Sequence, residues 1–176
     1  MFNISSTNIT QDSSLINEVK DLNKIIPLEL ELSQTVTLDQ SLVNLDIFKK
    51  SQKITFFATC YYTLDFSNLT NDDILIDSKN KTININIDKP INFDIIIDEN
   101  KTHYYDTELG LLCFSDIKMS SAEYGKILKR LNESFSDKMN DEELYKKCLS
   151  NANSMIENIL LNLTDETYTV NISFKT

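Results

Sequence analysis

The sequence predicts an α+β fold with a mainly antiparallel sheet, two C-terminal helices on one face, a returning C-terminal strand and an N-terminal amphipathic helix. Three observations carry this prediction. Apolar and polar residues alternate with period two in several runs between residues 28 and 98, as in half-buried strands. Residues 120–163 follow a helical period instead, and residues 168–174 return to period two. A sheet with one dry face needs a cover, and two helices with one apolar stripe each supply it.

The N-terminal segment predicts an amphipathic helix that Ser13 or Ser14 can cap and that Pro27 stops. Its apolar stripe recurs at spacings of four, three and four, and consists of Leu15, Val19, Leu22 and Ile26. Large aliphatic side chains do not stay in water without a cost, so the stripe has three possible destinations: the chain's own sheet, a second copy, or a foreign protein. These four residues are therefore our interaction candidates. We expect residues 1–27 to form a tail and this helix, and residues 28–176 to form a single α+β domain.

The strands follow from β-branched and aromatic runs bounded by turn residues. The clearest pair is a hairpin whose arms, Asp73–Asp77 and Thr82–Asp88, flank the polar turn at 78–81. The remaining strands are expected at Leu28–Leu38, Ser41–Phe48, Lys53–Phe66, Asn92–Asp98, His103–Asp106 and Leu111–Phe114.

Two capping boxes predict the helices of the last third, because a Ser or Asn followed three residues later by Glu satisfies the first free amides. Ser120 with Glu123 opens a helix to about Phe135, and Asn140 with Glu143 opens a longer one. The second helix is expected to bury the stripe Leu144, Cys148, Ala152, Met155, Ile159 and Leu163. Tyr168–Phe174 then alternates as a final strand.

Charge limits the classes of partner. The chain carries 17 Lys and Arg against 27 Asp and Glu, a net charge of −10. This excess repels the phosphates of nucleic acid and of anionic membranes, so we expect neither nucleic acid binding nor direct membrane insertion. No apolar run approaches the ~20 residues that span a bilayer.

Three separated cysteines, Cys60, Cys113 and Cys148, form no CxxC pair and lie among apolar neighbours. We expect them to be reduced and mostly buried, which suits a reducing cytoplasm. The polar stretch from Met1 to Ser14 lacks a basic region followed by an apolar one, so no signal peptide is expected.

Several runs resemble domain-of-unknown-function family 4230, an uncharacterised bacterial family. They are Leu64–Leu69, Lys81–Ile85, Asp88–Pro90, Tyr104–Asp106, Gly110–Leu112, Ala152–Asn153 and Tyr168–Val170, and the similarity covers about residues 28–174. The chain departs from the family where Leu64 stands in place of a frequent glycine, and it shows no membrane anchor of the kind that members commonly carry before the domain. The resemblance implies the fold and implies no activity.

Candidate chemistry is sparse. His103 is the single histidine, and Tyr104, Tyr105 and Asp106 could orient it, although a lone histidine at a strand edge is usually structural. Six aspartates around the hairpin lack the glycine-centred loop of a calcium site, so no metal is expected. Two glycines cannot build a phosphate-binding glycine loop, and no cofactor is expected.

Asp65 interrupts an apolar strand and has two interpretations: a buried acid ready for chemistry, or a residue that faces water or caps a turn with Ser67 and Asn68, which we favour. Asp65, His103 and Asp106 are the ligand-binding candidates, and no residue is assigned to catalysis. We expect a non-enzymatic cytoplasmic binding or assembly module with a protein partner or self-association. The alternative is a small-ligand-binding or hydrolytic domain that uses an acidic cleft.

Overall fold

The computed structural model describes residues 13–41, 46–113, 115–164 and 168–175. The elements are α1 (Ser13–Asp21), β1 (Lys24–Ser41), β2 (Lys49–Asp65), β3 (Ile74–Asp77), β4 (Thr82–Ile87), β5 (Ile91–Tyr104), β6 (Glu108–Leu109), α2 (Ser121–Met139), α3 (Glu142–Asn162) and β7 (Thr169–Phe174). The predicted α+β class is confirmed: mainly antiparallel sheets precede two long helices and a C-terminal strand.

The strands form two sheets. One has the order β1-β2-β5, with the short β6 pairing antiparallel to β2, and the other has the order β3-β4-β7. The predicted hairpin is confirmed, because β3 and β4 pair antiparallel from Ile74↔Ile85 to Asp77↔Thr82. The returning strand is also confirmed: β7 pairs with β4 in parallel, which makes β4 the centre of its sheet.

The described residues form two compact units. Among the described residues, unit 1 is drawn from 13–28, 61–93, 142–164 and 168–175, and unit 2 from 29–41, 46–60, 94–113 and 115–141, so the residues of β1, β2 and β5 are divided between them. The expected division into residues 1–27 and 28–176 stays a prediction.

The core of unit 1 lies between the β3-β4-β7 sheet and the two helices α1 and α3. Period-two alternation directs one face of β4 inward, so Ile83, Ile85 and Ile87 are almost fully buried. The residues packed with them include Leu15 and Val19 of α1, Phe66, and Ala152, Ile156 and Leu160 of α3. The outer face carries polar side chains, as the alternation predicts.

The core of unit 2 contains β2 and α2. Ile54, Phe56, Ala58 and Cys60 of β2 alternate with less buried neighbours, and α2 buries Leu131, Phe135 and Met139. The rings of Phe56 and Tyr124 lie 6.5 Å apart, and Ser134 donates a 2.6 Å hydrogen bond to the side chain of Gln34 in β1. These contacts place α2 against both β1 and β2.

The prediction that the first helix continues to Pro27 is wrong. α1 ends at Asp21, Asn23 adopts a left-handed backbone with φ 56°, and β1 begins at Lys24. Asn tolerates this conformation better than most residues and can end a helix there. Pro27 lies inside β1, where the missing amide is tolerated because β1 is at the edge of its sheet.

Two of the expected short strands are also wrong in part. Asp46–Phe48 forms a single 3-10 turn rather than strand, while 42–45 lie outside the described residues. Leu111 and Leu112 form a turn, and Phe114 lies outside the described residues. The expected strands at 92–98 and at His103 belong to one long strand, β5, which ends before Tyr105.

The first capping box is confirmed: the Ser120 hydroxyl accepts from the Glu123 amide at 3.3 Å, and the Ser120 amide donates to the Glu123 carboxylate at 2.8 Å. The second start is displaced, since Asn140 is the C-cap of α2 and α3 begins at Glu142. Two of the six residues predicted for the apolar stripe of α3, Cys148 and Ala152, are buried. The helix buries Cys148, Ala152, Ile156 and Leu160, whereas Leu163 is exposed. No helix in the described ranges is long and apolar enough to cross a membrane.

Candidate functional site

Asp65 is the last residue of β2 and lies in unit 1. Its carboxylate accepts a 2.8 Å hydrogen bond from the Ser67 amide and lies 3.3 Å from Lys24 Nζ. Hydrogen bonds from Ser67, with a smaller contribution from Lys24, hold the pKa of the Asp65 carboxyl below its usual value. The side chain is one-third exposed. These contacts fit the turn-capping interpretation, in which the carboxylate closes the turn after β2.

His103 and Asp106 belong to unit 2 and lie near the end of β5. The exposed His103 ring packs edge-on against Tyr105, with ring centroids 4.5 Å apart. Tyr105 is fixed to β2 through its backbone, because its amide donates to the Lys53 carbonyl and its carbonyl accepts from Gln52, both at 3.0 Å. The segment after β5 is therefore anchored on β2, and Tyr105 links the two candidates.

Asp106 faces a cleft of about 400 Å³, and its lining also includes Thr35, Ser51, Lys53, Tyr105 and Glu108. His103 does not line it. Two carboxylates, one ammonium and a phenol ring can hold a polar or cationic ligand by hydrogen bonds and charge. Within the described ranges, no group of three or more His, Cys, Asp or Glu side chains is arranged to hold a metal ion.

A group of exposed apolar side chains comes from residues that lie close in sequence to those lining this cleft, and we call this group the leucine patch. It consists of Ile47, Leu109, Leu111 and Leu112, with exposed fractions of 41%, 45%, 84% and 46%. Four large aliphatic side chains within two adjoining segments are more than the scattered exposed residues of an ordinary surface.

The backbone of the leucine patch is held in place. The Gly110 amide donates to the Lys49 carbonyl at 2.8 Å, the Leu112 amide donates to the Ile47 carbonyl at 3.0 Å, and the Cys113 amide closes the turn on Gly110 at 2.9 Å. Leu109 pairs with Lys50 in the β6–β2 ladder. The leucines therefore lie on a turn that is braced, in the sense that backbone hydrogen bonds fix it to the neighbouring segment.

Gly110 allows the turn to lie directly against the backbone of Asp46 and Ile47. A Cβ built at residue 110 would lie 2.6 Å from the Asp46 carbonyl oxygen and 2.7 Å from that of Ile47. Both obstacles are backbone atoms, so no side-chain rotation can relieve them. Glycine is therefore required here for space.

Sequence reasoning missed the leucine patch because it assigned Leu111–Phe114 to a strand, which would have buried alternate residues. The available signal was Gly110 directly before two leucines, since a glycine interrupts a strand and favours a turn or a close backbone approach.

The other predicted candidates are placed as follows. Leu15 and Val19 are buried in the core of unit 1, which matches the first of their three possible destinations, whereas Leu22 and Ile26 are 44% and 46% exposed. The three thiols are free and buried, as predicted. Burial raises the pKa of Cys60 and raises that of Cys148 to about 11, so neither is poised as a nucleophile.

Comparison with known proteins identifies a family. The family model described as a protein of unknown function (DUF4230) matches residues 17–170, most of the chain. The chain therefore belongs to this family. Neither the curated proteins nor the solved structures contain a match.

Proposed function

We propose that this member of the DUF4230 family is a non-enzymatic binding or assembly module of the cytoplasm, and that the leucine patch is its contact with a protein partner. The observation that carries the proposal is an apolar turn that is both exposed and braced. Burying one fully exposed large aliphatic side chain contributes about 1.5–3 kcal/mol, so Leu111, which is 84% exposed, can anchor an interface to which the other three add less. A braced turn loses little conformational entropy when it binds.

The charges around the patch indicate the chemistry of the partner. Asp46 and Glu108, which adjoin patch residues in the sequence, make no ion pair with any residue of the described ranges. The nearby lysines are engaged, since Lys49 lies 3.9 Å from Asp39 and Lys50 donates to Ser115 at 2.8 Å. The partner surface that fits is an apolar pocket with a basic rim. A second copy of this chain fits less well, because its patch would bring the same carboxylates and no basic rim to the contact.

The non-enzymatic role and the cytoplasmic location in this proposal have separate support. Asp65 is committed to Ser67 and Lys24, and His103 is exposed, so neither is an activated catalytic group. Three buried free thiols suit a reducing compartment.

The test is capture of a partner by purified protein, followed by reconstitution with that purified partner. We expect Leu111→Asp to weaken binding at least roughly tenfold, because the charge must be desolvated in an apolar pocket. The matched control is Ile91→Asp, the same kind of change at a residue that is 57% exposed in unit 1, and it should bind normally.

Leu22→Asp separates the patch from the N-terminal candidates. If Leu22→Asp abolishes binding while Leu111→Asp does not, the interface lies at Leu22 and the leucine patch is refuted. Light scattering on the unmodified chain adds a second criterion. If the chain is a dimer and Leu111→Asp converts it to a monomer, the leucine patch contacts a second copy of the chain and not a foreign protein.

The cleft that contains Asp106 favours a second candidate function, a small-ligand-binding or hydrolytic domain. Its two carboxylates favour a cationic ligand, so polyamines and divalent metals are the probes. Under this alternative, one probe raises the melting temperature by several degrees and Asp106→Asn removes the rise. Thermal shifts that are equal in the wild type and in Asp106→Asn would exclude it.

A further inference from the structure

A second cleft of unit 2, of about 270 Å³, lies between the end of β1 and the start of α2. Its apolar lining consists of half-buried side chains from three segments: Leu38 of β1, Ile117 and Met119 before α2, and Ile127 of α2. Small-molecule sites combine apolar surface with convergent polar groups, and this cleft joins those four apolar side chains to seven polar or charged ones.

Three cationic side chains line the same cleft: Lys118, Lys126 and Arg130. Arg130 is the single arginine of a chain with net charge −10. Lys126 and Arg130 are four residues apart on α2, so they project from one face of the helix. Neither Lys118 nor Arg130 makes an ion pair with a residue in the described part of the chain.

Two carboxylates also line the cleft, and both are engaged elsewhere. Glu123 accepts hydrogen bonds from the amide and the hydroxyl of Ser120 at 2.8 and 2.7 Å. Those bonds, with a smaller effect of Lys126, hold the pKa of the Glu123 carboxyl below its usual value. Asp39 lies 3.9 Å from Lys49. The cations therefore outnumber the carboxylates, and the carboxylates already have partners.

We propose that this cleft binds a soluble phosphate monoester carried on a small apolar group, with Arg130, Lys118 and Lys126 around the phosphate and Leu38 and Ile127 against the apolar part. A phosphate monoester carries about −1.5 to −2 charges at pH 7, which matches a trio of cations better than a single carboxylate does. The guanidinium of Arg130 can also bind two phosphate oxygens at once.

The volume of the cleft also limits the size of the ligand. Its volume lies just below the ~300–1,000 Å³ that is usual for drug-sized ligands, so the apolar part must be small. Phenyl phosphate is a suitable probe. Inorganic phosphate lacks the apolar part, and phenol lacks the charge.

The experiment is a titration followed by backbone amide NMR on the full chain. Phenyl phosphate is expected to shift the amides of residues 37–40 and 117–130 and to bind more tightly than inorganic phosphate or phenol. Arg130→Gln should weaken binding at least about tenfold, because hydrogen bonds to charged groups are the strong ones. Lys126→Gln is a second variant with the same expected direction.

The matched control is Lys129→Gln, which changes the neighbouring exposed charge that lies 3.9 Å from Glu133 and does not line the cleft. It should bind like the wild type. Three results would overturn the proposal: equal binding by Arg130→Gln and the wild type, an equal loss in Lys129→Gln, or binding only to phosphatidic acid vesicles and not to phenyl phosphate.

Discussion

Replacing Ile85 by alanine is expected to lower the free energy of unfolding by about 2–5 kcal/mol, the range for large-to-small changes in a packed core. Ile85 lies on the central strand of its sheet, opposite Ile74 on one side and Ile172 on the other, and it is 1% exposed. The cavity would have sheet on both sides and could not collapse easily. Since a domain has only about 5–15 kcal/mol of stability, the loss is a large share of it.

Urea and thermal unfolding measure this effect, with a decrease in melting temperature of roughly 5–15 °C. The matched control is Ile91→Ala, the same substitution at a residue that is 57% exposed in the same unit. It should change stability by no more than about 0.5 kcal/mol. Equal losses for the two variants would contradict the burial of the central strand.

The two glycines of the chain are expected to respond to alanine with opposite signs. Gly110→Ala forces a methyl group to within 2.6 and 2.7 Å of two backbone carbonyl oxygens, so the turn must move away from Asp46 and Ile47. Overpacking of this kind costs about 1–3 kcal/mol. We expect faster amide hydrogen exchange at Leu112, whose hydrogen bond to the Ile47 carbonyl is lost, and weaker binding of any partner at the leucine patch.

Gly125 is the internal control, because a Cβ there meets nothing within 4 Å. The residue is exposed to solvent and lies away from both ends of α2. Gly125→Ala should raise the free energy of unfolding by about 0.5–1 kcal/mol through helix propensity. If both substitutions stabilise the protein, Gly110 does not lie against the backbone of residues 46–47 as described.

Local signals predicted the hairpin and the capping box because the interactions that form them are local. β3 and β4 lie four residues apart, and in β4 the alternation of isoleucine with threonine and asparagine sets both the period and the inward face. Ser120 and Glu123 satisfy each other's amides within one turn, so the start of α2 follows from those two residues.

The end of α1 could not be predicted from local signals. Leu22 and Ile26 continue a helical spacing, yet Asn23 turns the chain, and its carbonyl accepts a 2.8 Å hydrogen bond from the Phe66 amide. That partner is 43 positions away along the chain, as the numbering shows. A segment distant in the sequence decided a local boundary, which is how tertiary packing overrides propensity.

By itself, the sequence determined the α+β class, the alternating faces of β4 and β7, and the burial of the three thiols. Only the tertiary structure decided which of two adjacent stripes α3 buries, and that Gly110 holds two leucines outward against Ile47. It also brought Arg130 and Lys118 to one cleft with Leu38, although Leu38 is remote from both in sequence. The physical reason is the range of the interactions: alternation and caps act within a few residues, whereas clefts and close backbone approaches depend on which distant segments pack together.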